Sequence, residues 1–407
     1  MSAALSDSAA LSGIRILDLS QYEAGPSCTQ ALAWLGAEVV KIERPETGEP
    51  GRSVGGHEDD SPYFLYWNSN KRSVVIDLNR PEGHELLVKM LPQYDIVVEN
   101  YGPGVAEKLG LDYDTLAAHH PPLIYASVKG FGSSGPYSNY KSFDMVAQAA
   151  SGAFSVTGEP EGKPMRPGPT LGDTGTGMQL GMAILAAYIQ RLRTGRGQRI
   201  EISMQEAMTY YMRTMIALGN GFEDQAAPRT GTGLSPDINL YACKPFGPND
   251  YVYIVIATPR MWEALCKASG VAALSQDERF QTPNRRIKNA DAVREAIESF
   301  TRQHTKHEAM RILAEAGVPC SAVLDTRDLM HDPHLRERGF VEPISHPNWG
   351  DVEVLGFPSR LSESEVPLRA APKLGEATNE VLARDLGLTD DELNALRASG
   401  VVASESS

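Results

Sequence analysis

Residues 13–45 read GIRILDLSQYEAGPSCTQALAWLGAEVVKIERP, and this stretch limits the fold more than any other. An apolar run over 14–19 reads as a strand, 20–26 as a loop, 27–36 as a helix and 38–43 as a second strand. Strand, helix and strand in that order make a βαβ unit, whose crossover sets the two strands parallel. A parallel sheet is covered by helices on both faces. A chain of 407 residues, 42% of them hydrophobic, can supply that cover.

The alternation continues. Strands are expected at 72–78 (RSVVIDL), 94–101 (YDIVVENY), 123–131 and 198–204, with helical spacing between them, as in PEGHELLVKML at 81–91. The fold class is therefore α/β, with a large domain over 1–220 built on an open, Rossmann-like parallel sheet. The segment GNGFEDQAAPRTGTGLSPDIN has no period and is rich in Gly, Pro and Asn, as long functional loops and linkers are. A strand pair (INLYACK and DYVYIVIAT) and helices near 260–269, 290–303 and 306–316 make 221–328 a smaller α+β domain. Residues 329–407 carry GDVEVLGFPSRLS and a last helix at TDDELNALRASG. The lead MSAALSDSAALS and the tail SESS read as disordered.

Charge and motif spacing exclude several classes. The net charge of −14 gives no basic footprint for a general nucleic-acid binder. An anionic substrate needs a local basic cluster. Cys28, Cys243, Cys266 and Cys320 form no C-x-x-C pair, which leaves zinc and dithiol chemistry without support and fits a reducing compartment. The longest apolar run, Met182–Ile189, is far short of a membrane span, and the N-terminus is not a signal peptide, so the cytoplasm is the expected location. The loop before the first helix offers only Gly25, followed by Pro26, instead of G-x-G-x-x-G, although Glu43 stands where a ribose-binding acid would. His304 and His307, and His331 and His334, have helix-compatible spacing but no third ligand. Neither a metal nor a permanently bound cofactor is expected.

The stretch GPTLGDTGTGMQLGMAILAAYIQRL (168–192) sets one acid, Asp173, at the head of a long helix pattern. As a cap, Asp173 would accept backbone N–H bonds, a role that Thr174 or Thr176 could also fill, and Gly195 would close the far end. As a nucleophile, it would attack as a carboxylate already ionised at pH 7, with Gly172, Gly175 and Gly177 leaving room for a bulky partner. Both readings stay open on the residues alone. Lys71 and Arg72, in NSNKRS, read as an exposed basic turn or a phosphate contact. VKGFGSSGPY (128–137) is a Gly-rich loop at the carboxyl end of a strand, where α/β sheets bind ligands.

These pieces occur in a recognisable order: the 13–45 unit, NSNKRS, IVVENYGPG, ASVKGFGSSGPY, VAQAASG and LGDTGTGMQLGMAILAA with TGRGQRIEISMQEA. The chain resembles the class III CoA-transferases (the CaiB/BaiF type) over roughly residues 13–400, and most of all the formyl-CoA:oxalate branch. The resemblance implies an interlocked homodimer, each subunit having a large domain that takes in the C-terminal segment. It implies acyl-CoA and a small carboxylic acid as substrates, with Asp173 as the nucleophile that forms anhydride and aspartyl-CoA intermediates. It assigns CoA contacts to Arg44, Ile76, Asp77, Leu78, Asn79, Asn100, Tyr101, Gly102, Lys108, Tyr140 and Lys141. Around the substrate it sets Glu23, Ala24, Phe143, Met204 on a backing strand, and Gly231 and Gly233 in a covering loop.

Three departures bear on the acceptor. Glu23 stands where the oxalate enzymes have glutamine, Phe143 stands where they have tyrosine, and the covering loop is reduced to RTGTGLSP (229–236). A carboxylate at 23 would repel a dianion, so the expected acceptor is a small acid other than oxalate, such as succinate or a larger dicarboxylate. An α-methylacyl-CoA racemase of the same fold is the alternative, but its histidine would fall at Phe143, and no histidine lies between His120 and His304. A non-catalytic CoA-binding protein is a further alternative.

Overall fold

The structure is a computed structural model that describes residues 9–57, 60–219 and 224–404. The chain forms two compact units. One comprises Met1–Ala153, Arg166–Leu218 and Arg338–Ser407, and the other Phe154–Met165 and Gly219–Glu337.

The first unit is built on six parallel strands: β1 (Arg15–Asp18), β2 (Glu38–Glu43), β3 (Arg72–Ile76), β4 (Ile96–Glu99), β5 (Ile124–Lys129) and β6 (Gln198–Ser203). Their order is β3-β2-β1-β4-β5-β6, and Val402–Ala403 adds an antiparallel edge beside β3. Alternate residues feed two cores, as the two-residue period of a strand requires. Leu17, Val40, Val74 and Val97 face one side, and Ile16, Val39, Ile96 and Ile124 the other.

The first helix covers Ala24–Trp34, starting three residues before the expected 27. The sequence pattern places GP in a loop, but a first-turn N–H has no intrahelical acceptor, so Pro26 loses no bond there. Gly25 fits because a Cβ would lie 2.2 Å from Ser20 Cβ.

The long helix Leu171–Thr194 packs on the first helix, β5 and β6. Gly195, at φ +69°, ends it by donating its N–H to Arg191 O at 2.7 Å. Its glycines correct the sequence reading. A Cβ on Gly177 would stand 2.2 Å from Ser27 Oγ and 2.6 Å from Ala24 O; on Gly175, 2.8 Å from the Tyr211 ring; on Gly172, 2.6 Å from Asp144 O. They serve close packing of the helix and do not open space for a substrate.

NSNKRS is also not the exposed basic turn expected. Lys71 is fully buried, donating to Asp18 Oδ2 at 2.9 Å, Asn68 Oδ1 at 2.9 Å and Pro26 O at 3.0 Å. Arg72 pairs with Glu38 and Glu380. The end of the lead is ordered as well: Ala9 is buried and Leu11 N–H donates to Leu35 O at 2.9 Å. Residues 1–8 and 405–407 lie outside the described residues.

The second unit has its own core, with Tyr241, Trp262, Phe280 and Phe300 at its centre. Its antiparallel sheet joins Ile238–Ala242, Tyr251–Val255 and the short Cys320–Ala322, which the sequence pattern did not mark. Helices Pro259–Ala268, Ala290–Thr301 and Lys306–Glu315 complete it. No described helix is long and apolar enough to cross a membrane.

Candidate active site

In a parallel sheet the loops at the carboxyl ends of the strands diverge where the strand order reverses, leaving a crevice. Here that point lies between β1 and β4. The loops after them, 20–23 and 100–104, are tied by two bonds: Gln21 N–H donates to Asn100 Oδ1 at 2.8 Å, and Asn100 Nδ2 donates to Gln21 O at 2.7 Å. Above them is a cavity of 440 Å³.

The cavity gathers most of the expected residues. Arg44, Ile76, Leu78, Asn79, Asn100, Tyr101, Gly102, Tyr140, Lys141, Ala24, Phe143, Met204 and Asp173 all line it. Met204 opens the helix Met204–Tyr211 after β6 instead of lying on the strand. From β3 to β6 the lining crosses five strand spacings, about 24 Å. Arg44 and Asn79 follow β2 and β3 at one end, and Met204 follows β6 at the other. An elongated ligand fits such a trough.

Five expected residues are not in the lining. Asp77 turns back to its own loop, accepting from Asn79 N at 3.1 Å. Lys108 is exposed at the end of Val105–Lys108. Gly231 and Gly233 belong to the second unit, where Gly231 N–H donates to Gly158 O at 3.0 Å. The neighbouring Arg229 is held by the carbonyls of Ser155, Glu159 and Gly162, so this turn is pinned within its own unit. Residues 220–223 of the same loop lie outside the described residues.

Glu23 is the fifth. It is buried, and its Oε1 accepts from the hydroxyls of Thr170 and of Thr174, the latter at 2.7 Å. Tyr63 OH donates to Oε2 at 3.4 Å. Thr170 is the N-cap residue of the long helix, yet it gives its hydroxyl to Glu23 instead of capping. Glu23 therefore braces the first turn of that helix and does not line the cavity.

Asp173 lies in that turn. It does not cap the helix. Its N–H donates to Asp144 Oδ1 at 3.2 Å, and its carboxylate has no hydrogen-bond partner among the described residues. Burial, with the negative charges of Glu23 and Asp144 beside it, pushes its carboxyl up to about 8. This corrects the expectation of a group ionised at pH 7. Burial likewise raises Glu23, against its hydroxyl bonds. Between the ordinary value of 3.8 and about 8 the folded chain holds a proton on Asp173 that the unfolded chain has released. Stability therefore falls as pH rises through that window. Asp173→Asn removes the effect. Its thermal midpoint should exceed the wild type's by at least about 2 °C at pH 8.5 and match it near pH 4, as scanning calorimetry can check.

Sequence reasoning missed Tyr22 and Glu49. Tyr22 lines the cavity at φ +62°, a left-handed conformation rare for a bulky residue. Buried Glu49 maintains it by accepting Tyr22 N–H at 3.0 Å. The ring of Tyr22 meets Phe143 edge to face, with centroids 5.8 Å apart. Among the described residues no group of His, Cys, Asp and Glu could hold a metal.

Known proteins are similar to this chain over nearly its whole length. The family described as CoA-transferase family III matches residues 11–378. A formyl-CoA:oxalate CoA-transferase of Streptomyces coelicolor is 37% identical over 409 residues, with 97% of this chain and 99% of that one covered. Its counterpart in Streptomyces avermitilis is 38% identical over 410 residues, with the same coverage. Among solved structures, a CAIB/BAIF family protein from Brucella suis superposes with a TM-score of 0.81 at 31% identity, covering 92% of this chain and 99% of that one. Family model, relatives and fold agree: this chain belongs to CoA-transferase family III.

Proposed function

We propose that this CoA-transferase moves CoA from an acyl-CoA donor to a small carboxylic acid through covalent intermediates on Asp173, a reaction like that named for its formyl-CoA:oxalate relatives. The observation that carries the proposal is the Asp173 carboxylate, unpartnered at the wall of an elongated cavity.

The steps balance without an outside energy source. Asp173 first releases to solvent the proton it holds near neutrality. Its oxygen then attacks the donor thioester carbonyl, the C–S bond breaks, and a mixed anhydride and CoA thiolate result. The thiolate attacks the aspartyl carbonyl, releasing the donor acid and leaving an aspartyl-CoA thioester. The acceptor carboxylate displaces CoA to form a second anhydride. The thiolate then attacks the acceptor's carbonyl, forming the product CoA ester and freeing Asp173. Because Asp173 must be ionised to attack, the single-turnover rate is expected to rise with pH through about 8. No histidine lines the cavity among the described residues, so a two-base racemase lacks a partner for Asp173.

The long helix exposes Met178, Met182, Ile189 and Leu192 along one face, which supports a homodimer as the working assembly. Four free cysteines support a reducing, cytoplasmic setting. The test is exchange itself: acyl-CoA and a panel of free acids, with product CoA esters read by mass. New CoA esters without ATP are expected, and hydrolysis alone would refute transfer.

A further inference from the structure

We propose that the acyl end of this cavity selects acids with a single carboxylate and an apolar body, aromatic or branched, over short dicarboxylates, and that Tyr22 and Phe143 determine this choice. The inference rests on the covalent-transfer reading above and names its substrate class.

The charges around Asp173 argue against a dianion. Glu23 and Asp144 are both buried, and both act on Asp173 as negative neighbours. An acid with two carboxylates would bring a second negative charge to a place that already holds three carboxyl groups. Few cations could offset it. The cations lining the cavity, among the described residues, are Arg44, Lys129 and Lys141. Lys129 is committed: its ammonium donates to Glu99 Oε2 at 3.0 Å and to Tyr101 O at 2.9 Å. Arg44 follows β2, three strand positions from β5, and its Nε is held by Gly48 O at 2.8 Å. Lys141 remains, two residues from Phe143. One cation suits one carboxylate.

The neighbouring surface is apolar. Phe143 lines the cavity and is 62% exposed. Tyr22 stands edge to face against it at 85°. Ala24, Val128 and Met204 line the same cavity. The left-handed backbone of Tyr22, fixed by Glu49, is strain of the kind kept where a side chain must be aimed. An aryl or branched alkyl group against this pair would bury apolar surface that a two-carbon or four-carbon diacid lacks.

Acylation and its reverse use the same acyl subsite, so acyl-CoA donors probe the choice directly. The wild-type enzyme is incubated with phenylacetyl-CoA, isovaleryl-CoA, malonyl-CoA or succinyl-CoA in the presence of hydroxylamine. The initial rate of hydroxamate formation at Asp173 is read by peptide mass. Phenylacetyl-CoA or isovaleryl-CoA should mark Asp173 at least tenfold faster than malonyl-CoA and succinyl-CoA. In Phe143→Ala that ratio should shrink at least fivefold, and a general loss of activity cancels in the ratio. Equal or faster marking by the dicarboxylic esters, or a ratio unmoved in Phe143→Ala, overturns the inference while leaving covalent transfer standing. No mark in enzyme that is forming product CoA ester from one of the four overturns the covalent reading on which it rests.

Discussion

Asp173→Ala should reduce CoA transfer to background, a loss on the order of 10⁴-fold or more, as measured by product CoA ester formed per minute. The expectation follows from what replaces the side chain. The other carboxylates near the cavity are already engaged. Glu23 is held by Thr170 and Thr174, Glu43 by Arg52, Glu49 by the Tyr22 and Gly51 amides, and Asp144 by Gln148 and the Asp173 amide. None can take over as nucleophile without leaving a buried donor unpaired. The variant should fold, because alanine removes a destabilising buried carboxyl instead of a structural contact. Wild-type thermal stability together with lost transfer separates catalysis from folding. Turnover above a tenth of wild type would remove Asp173 from the mechanism.

The second large effect is on the fold. Asp18→Asn should cost about 3–5 kcal/mol, seen as a fall of about 4–6 °C in the thermal midpoint. Asp18 is fully buried between two lysines, with Lys71 Nζ at 2.9 Å and Lys41 Nζ at 3.7 Å. Burial alone would raise its carboxyl, yet Lys41, Lys71 and the Ser20 hydroxyl hold it well below the usual range. Burial meanwhile draws Lys71 down to about 8, against the attraction of Asp18. Asparagine keeps the shape and removes the charge, leaving two ammonium groups facing each other in the core. The damage should reach the site, because Lys41 also holds Ser20 O at 2.7 Å and Lys71 holds Pro26 O. Those bonds flank Tyr22, Glu23 and Ala24, so KM for acyl-CoA should rise in the same variant. A midpoint within 2 °C of wild type would show that the buried triad does not support the loop.

What the sequence could reveal follows from the distance over which each feature acts. The βαβ unit was legible because strand and helix periods are local, and the buried strands carry continuous apolar runs. Gly195 as the end of the long helix was legible for the same reason. The nucleophile reading of Asp173 rests only on the order of surrounding motifs, since its local context also suits a cap. Three misreadings concern long-range partners. Lys71 read as exposed because Asp18 lies 53 residues away. Glu23 read as part of the cavity wall because its partner Thr170 lies 147 residues away. The glycines around Asp173 read as open space because Ala24 and Ser27, against which Gly177 packs, belong to another helix. Tyr22 carried no signal at all, since a positive φ on a tyrosine depends on the Glu49 carboxylate that fixes it.

The most direct test of the account is the mass of the peptide that carries Asp173, taken after acyl-CoA and hydroxylamine are added to active enzyme. The aspartyl-CoA thioester should be captured as a hydroxamate at Asp173, with CoA released and no mark on Glu23, Glu49 or Asp144. An Asp173 peptide of unchanged mass, recovered from enzyme that is forming product CoA ester, would contradict covalent transfer through Asp173.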